Sequence, residues 1–179
     1  YIKQAKKIME ENKKMVTIGI TGSYGKTSTK NIVTALLEEK FITVMTPKSF
    51  NTTLGVVKTI REQIKPYTEV FVCEMGAARL GEIKEICGIA KPDISVITSI
   101  GPQHLTSFKS MDNIVKGKFE IVTNAKVNST AILNVDNEYI RMPKKWNTKE
   151  IKSFMFAFGG ISTILDLACF AIMWFVLTF

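Results

Sequence analysis

The stretch Thr21-Gly22-Ser23-Tyr24-Gly25-Lys26-Thr27-Ser28-Thr29-Lys30 decides how this chain is read. An apolar run, Val16 to Ile20, leads into it, and a helix-patterned segment, Asn31 to Glu39, leads out. Strand, glycine-rich turn and helix together form a phosphate-binding loop. The glycines let the backbone turn tightly, so consecutive N–H groups converge on one anion. Gly22, Ser23, Tyr24, Gly25, Lys26, Thr27 and Ser28 are therefore the expected nucleotide-binding set. Lys26 would add a point charge at the β- and γ-phosphates, the Thr27 hydroxyl is placed to hold Mg²⁺, and the helix N-terminus adds a favourable dipole. The spacing is T-G-x-x-G-K-T-S. The general G-x-x-x-x-G-K-[ST] pattern would need glycine at position 20, where Ile20 stands. The bland alternative is a glycine turn that binds nothing; a G-x-x-G-K-T-S-T between a β-run and a helix is rare enough to set it aside.

Outward from the loop, short apolar runs alternate with helix-patterned segments. Strands are expected at Phe41–Met45, Glu69–Cys73, Asp93–Thr98 and Thr130–Leu133, after the first at Val16–Ile20. Helices are expected at Thr27–Glu39, Val56–Lys65, Leu80–Ala90 and Met111–Asn124, and Tyr1–Lys14 reads as an amphipathic lead-in helix. The strands lack polar alternation, so both their faces are expected to be buried. That pattern specifies an α/β domain with a mainly parallel sheet flanked by helices. Ligands in such sheets sit beyond the carboxyl ends of the strands. The polar residues that break the pattern fall there: Asn51, Glu74, His104 and Asn134 join the loop at one edge.

Net charge is +8, but it is uneven. Residues 1–14 carry +3 and residues 141–152 carry +4, while residues 15–140 carry only +2. A body so close to neutral argues against a nucleic-acid-binding face. Cys73, Cys87 and Cys169 have no paired spacing, so three free thiols are expected and no Cys/His metal cluster. Tyr1–Lys14 does not have the pattern of a cleavable signal peptide.

Taken singly, the candidate residues are ambiguous. Glu74 ends a strand and is a candidate Mg²⁺ ligand, against the alternative of a surface glutamate at a turn. His104 is the sole histidine; its place on the binding edge suggests a metal ligand or phosphate contact, although a lone histidine is more often structural. Lys118 reads as an ordinary helix lysine, no different from Lys116. Asn51 and Asn134 are loop asparagines that stabilise turns by default and bind purine or phosphate as the sharper alternative.

Together these residues carry a resemblance. T-G-S-Y-G-K-T-S-T (21–29), S-F-N-T-T-L-G (49–55), E-M-G-A (74–77), I-T-S-I-G-P-Q-H-L (97–105), V-K-G-K-F-E-I (115–121) and I-L-N-V-D-N (132–137) resemble, in order and spacing, the ATP-binding central domain of the Mur ligases. E-M-G-A and the Asn-x-x-x-Gly loop look most like the branch that adds D-Ala-D-Ala to UDP-MurNAc-tripeptide in peptidoglycan precursor synthesis. Folylpolyglutamate synthases share the same kind of domain. The resemblance implies ATP and Mg²⁺, with Lys26 on the phosphates and Thr27 and Glu74 on one metal ion. It implies His104 on a second metal with Lys118 carbamylated beside it, Asn51 near the phosphates and Asn134 near the adenine. It also implies an acyl-phosphate route to an amide, with a UDP-muramoyl peptide and a dipeptide as partners if further domains complete the enzyme. Lys26, Lys118 and His104 would be its catalytic residues.

The last part of the chain reads differently. Residues 141–153 are expected to be a basic linker after a nucleotide-binding domain at 15–140. Phe154–Phe179 holds 26 residues with one charge, Asp166. As a helix it would extend about 39 Å, against the roughly 30 Å of a hydrocarbon core. A transmembrane helix is therefore expected. The lysines before it would place the domain on the cytoplasmic face of a membrane, and Asp166 would need a partner helix. This tail resembles the first helix of GtrA-like membrane proteins. Two functions remain open: an ATP-dependent amide ligase attached to a membrane, or a tethered ATP-binding module without ligase turnover. A general P-loop kinase or GTPase fits less well, because the loop spacing differs and no N-K-x-D guanine signature is present.

Overall fold

The computed structural model describes residues 1–141 and, as backbone, residues 152–156. In chain order the elements are α1 (Ile2–Glu11), β1 (Val16–Thr21), α2 (Lys26–Glu38), β2 (Thr43–Met45), α3 (Thr53–Gln63), β3 (Val70–Glu74) and α4 (Glu82–Ala90). They continue with β4 (Ile94–Ile97), α5 (Leu105–Phe108), α6 (Met111–Thr123), β5 (Thr130–Asn134), α7 (Glu138–Arg141) and β6 (Lys152–Phe156). The strands form one sheet in the order β2-β3-β1-β4-β5-β6, and every neighbouring pair is parallel.

Chirality explains which helix covers which face. The step from β1 to β2 runs towards one edge, and its crossover helix α2 lies against β1, β2 and β3. The later steps run the other way, so a right-handed connection must put their helices on the opposite face. There α1, α3, α4 and α6 pack on one another. Side chains obey the period of two. On the α2 face, Ile18, Ile20, Val70, Val72, Ile94, Val96 and Ile132 meet Val33 and Leu37. On the other face, Phe71, Cys73, Ile97 and Ala131 meet the larger core of Ile60, Ile83, Ile86, Ile114 and Ile121. Both faces are buried, as continuous apolar strands require.

Helix boundaries follow from their caps. Thr52 accepts from Gly55 N–H at 3.4 Å to start α3, and Ser110 accepts from Asn113 N–H at 3.2 Å to start α6. Before α4, the Glu82 carboxylate reaches back to the N–H groups of Ala78 (2.6 Å) and Arg79 (3.0 Å). α2 begins at Gly25, which has φ +82° and lends no side-chain cap, so its first amides stay directed at the loop.

The C-terminal expectation is corrected. Residues 152–156 are a sixth strand, parallel to β5 with Asn134 opposite Phe156. The linker thus ends sooner than expected, and the first residues of the anticipated span are in the sheet. A strand-forming Ser-Phe-Met-Phe run at an open sheet edge pairs there, because its backbone groups need partners. Among the described residues no helix is long and apolar enough to cross a membrane. The expected position on a membrane's cytoplasmic face therefore loses its structural basis. Residues 157–179, with Asp166, lie outside the described residues.

Candidate active site

The loops after β1 and β4 leave neighbouring strands in opposite directions, which opens a crevice at the carboxyl edge of the sheet. The glycine-rich loop sits there and is fastened to the segment just after β4. Ser23 N–H donates to Ser99 O at 2.6 Å, and the Ser23 hydroxyl both donates to Gly101 O and accepts from Gly101 N–H at 3.0 Å. The Thr98 hydroxyl donates to Tyr24 O at 2.6 Å. Ser23 is thus committed to holding the loop. Gly22 has to be glycine: a Cβ there would stand 2.1 Å from Thr98 Oγ1 and 2.9 Å from Ser99 O.

Lys26 Nζ folds back onto Gly22 O at 2.9 Å and Ser23 O at 3.4 Å. Partial burial lowers its pKa, and the Glu74 carboxylate works against that shift. The Thr27 hydroxyl lies 3.1 and 3.2 Å from the two Glu74 oxygens. Glu74 also accepts from Asn51 Nδ2 at 3.0 Å and pairs with Lys30 Nζ at 3.1 Å. The β2–α3 loop bearing Asn51 is itself docked, because Gly76 N–H donates to Asn51 O at 2.7 Å. Gly76 leaves room for this: a Cβ would come within 2.7 Å of Asn51 Cγ.

These segments open into a cleft of about 630 Å³ whose lining includes Lys26, Asn51, Glu82, Gln103, His104 and Lys118. Lys118 is buried on the inner face of α6, donating to Ala77 O at 3.3 Å. Its pKa falls to about 8, chiefly because burial disfavours the ammonium and secondarily because of the Lys26 charge. His104 stands at the start of α5 in the left-handed conformation, φ +58°. Its imidazole makes no hydrogen bond among the described residues. Asn134 does not line the cleft; it donates to Thr98 O at 2.9 Å and accepts from Asp136 N–H at 3.2 Å, bracing β4 against β5. Cys73 and Cys87 are free and buried, and burial raises both pKa values, that of Cys87 to about 12.

The residues present fit a magnesium–nucleotide pair. Two oxygens about 3 Å apart form one edge of an octahedron with bonds of about 2.1 Å, and the Thr27 hydroxyl and Glu74 carboxylate have that separation. A second cation is less well provided. Among the described residues no three His, Cys, Asp or Glu side chains form a metal-holding group. His104 would need acidic partners brought to it, and a modified Lys118 in the same cleft could supply one.

Sequence reasoning brought Lys26, Thr27, Asn51 and Glu74 to one place, and His104 and Lys118 to the same cleft. It passed over Lys30. It also failed to separate Lys118 from Lys116. Phase would have found both lysines. Lys30 is in register with Val33, Thr34 and Leu37, and Lys118 with Ile114, Ile121 and Val122, so both sit on the buried stripe of their helices.

Comparison with known proteins agrees with this geometry. The family model for the Mur ligase middle domain matches residues 20–166, continuing past β6 into the segment whose sequence suggested a membrane helix. UDP-N-acetylmuramoyl-tripeptide–D-alanyl-D-alanine ligase of Rickettsia prowazekii is 39% identical over 127 residues, which is 71% of this chain and 28% of that protein. The corresponding ligase of Bacillus subtilis is 34% identical over 132 residues, or 74% and 29%. Among solved structures, MurF from Acinetobacter baumannii gives a TM-score of 0.82 at 28% identity, covering 89% of this chain and 35% of that one. MurF from Thermotoga maritima in complex with ADP gives 0.77 at 32% identity, covering 89% and 37%. The chain therefore spans under a third of the length of these curated relatives. On the strength of the family match, the chain belongs to the Mur ligase family and carries its middle domain.

Proposed function

We propose that this chain supplies the ATP-handling part of a carbon–nitrogen ligase that adds D-Ala-D-Ala to UDP-MurNAc-tripeptide in peptidoglycan precursor synthesis. The observation that carries the reading is that Lys26, Asn51 and the buried Lys118 line a single cleft beyond the strand ends, with the Thr27–Glu74 pair joined to it through the Asn51–Glu74 hydrogen bond. The named relatives support the substrate assignment. The nucleotide-handling unit runs from the loop at least as far as β6.

The chemistry follows from what these residues can do. In a Mur ligase a carboxylate of the UDP-muramoyl peptide attacks the γ-phosphate of ATP, and the resulting acyl phosphate is captured by an amine to give an amide, ADP and phosphate. Positioning and charge stabilisation dominate such a reaction. The loop amides and the α2 N-terminus would receive the phosphates, and Lys26, released from its carbonyl contacts, would lend its charge to them. Thr27 and Glu74 would hold Mg²⁺, which spreads the charge that develops on the transferred group. Asn51 keeps Glu74 in place. Lys118, with a pKa of about 8, carries enough neutral amine near neutrality to add CO₂ and lose a proton. The carbamate would then face the same cleft as His104. Intact mass under native conditions in bicarbonate should show one added CO₂, lost in Lys118→Ala.

The decisive assay uses the protein with whatever domains complete it. Phosphate release should require MgATP, the muramoyl tripeptide and D-Ala-D-Ala together. Tight ATP binding with no phosphate released in the presence of both substrates would instead support an ATP-holding module.

A further inference from the structure

Lys30 belongs to none of the roles above, yet its side chain is fully buried beside the loop. Its Nζ pairs with Glu74 Oε2 at 3.1 Å and donates to the carbonyl of Lys48. Lys48 adopts φ +48°, a left-handed conformation that residues other than glycine rarely take. The β2–α3 loop therefore carries a strained residue at the point where its carbonyl meets Lys30. A buried ion pair is a weak source of net stability, because desolvation offsets the attraction. Simple stabilisation of the core is thus a poor reason for a lysine at this position. The geometry supplies another: Lys30 ties α2, the end of β3 and the loop that bears Asn51 to a single ammonium. With Lys30 at Oε2, Asn51 at Oε1 and Thr27 against both oxygens, Glu74 is held from every side.

We propose that Lys30 is a positioning residue for the metal–nucleotide site, fixing Glu74 so that its carboxylate and the Thr27 hydroxyl meet Mg²⁺ as one preformed edge. This inference rests on the reading of Thr27 and Glu74 as the Mg²⁺ group. Outer-shell partners of this kind change metal affinity by about 10- to 100-fold when removed.

The test is calorimetric titration of ATP, once with Mg²⁺ and once with chelator. The proteins are the unaltered one, Lys30→Met, Lys30→Arg, Glu74→Gln and the double variant Lys30→Met/Glu74→Gln. In Lys30→Met the gain in ATP affinity that Mg²⁺ provides should shrink by about tenfold or more. Affinity without Mg²⁺ should fall by clearly less than affinity with it. Lys30→Arg should keep most of the gain, and the double variant should lose no more of it than Glu74→Gln alone. Should Lys30→Met fail to fold, the double variant, which buries no unpaired charge, carries the comparison against Glu74→Gln. A double variant with a clearly smaller gain than Glu74→Gln would contradict an action through Glu74. An undiminished gain in a folded Lys30→Met overturns the inference, as does an equal loss with and without Mg²⁺, which would mean that Lys30 merely supports the loop. If Glu74→Gln keeps the full gain, the reading of Glu74 fails and the inference goes with it. If only Lys30→Met keeps it, the inference fails alone.

Discussion

The two walls of the cleft are built on opposite terms. On the loop side the ionic and anchoring groups are engaged: Glu74 meets Lys30, Asn51 and Thr27, and Ser23 is locked to Gly101. On the α5–α6 side, Lys118 has one long contact to a carbonyl and lies 5.9 Å from the centre of the Phe108 ring, and the His104 imidazole has no hydrogen-bond partner among the described residues. The loop wall is preorganised for a ligand of fixed shape. The opposite wall holds two basic side chains with few partners of their own. On the proposed function, preorganisation on the loop side would let phosphates dock with little rearrangement.

The contrast predicts opposite responses to mutation. Removing a member of the loop wall should be costly, because it leaves a buried charge alone. Glu74→Ala strands Lys30 and should lower stability by about 3–5 kcal/mol, read as a reduced midpoint in chemical denaturation. A loss below about 1 kcal/mol would show that Lys30 finds water or another partner, and the two walls would then be less different than drawn.

Removing the lysine of the open wall should do the reverse. In CO₂-free buffer Lys118 has a folded pKa of about 8 against an ordinary 10.5. The folded state then binds the proton less well than the unfolded one. The penalty is complete below pH 8, fades as pH rises towards 10.5 and is absent above that. Lys118→Met should therefore stabilise the protein at pH 7 by up to about 3 kcal/mol. The advantage should shrink steadily between pH 8 and 10.5. A pH-independent difference would assign the effect to packing against Phe108 rather than to charge.

A smaller effect is expected at the brace between β4 and β5, outside both walls. Asn134→Ala removes two hydrogen bonds and should cost about 1 kcal/mol. Its ATP affinity separates two roles for Asn134. Unchanged affinity would make it a brace alone; a loss larger than the stability change implies would restore the adenine contact suggested by the family resemblance.

Much of this arrangement is legible in the chain itself. Apolar runs of four to six residues between helix-patterned segments point to a parallel α/β sheet, because such sheets are covered by helices on both faces. Placing Asn51, Glu74 and His104 at strand ends put them on one edge before any contact was known. Lysine hid the rest. Lys30 and Lys118 carry the signature of solvent, and only their phase with Val33 and Ile121 shows that they point inward. Asn134 shows the limit from the other direction: its location at a strand end is readable, but its hydrogen bond to Thr98 depends on β4 and β5 being neighbours. The tail misled for a physical reason too. Ser153-Phe154-Met155-Phe156 is apolar enough to begin a membrane helix and β-prone enough to extend a sheet, and only an available edge at β5 decides between them.

The central claim is that the loop is a working phosphate site centred on Lys26. Titration of ATP in the presence of Mg²⁺, comparing the unaltered protein with Lys26→Ala, tests it most directly. Loss of a charge-assisted contact of about 1.5–3 kcal/mol predicts affinity lower by roughly 10- to 150-fold. Equal affinity for the two proteins, with both folded, would contradict the account.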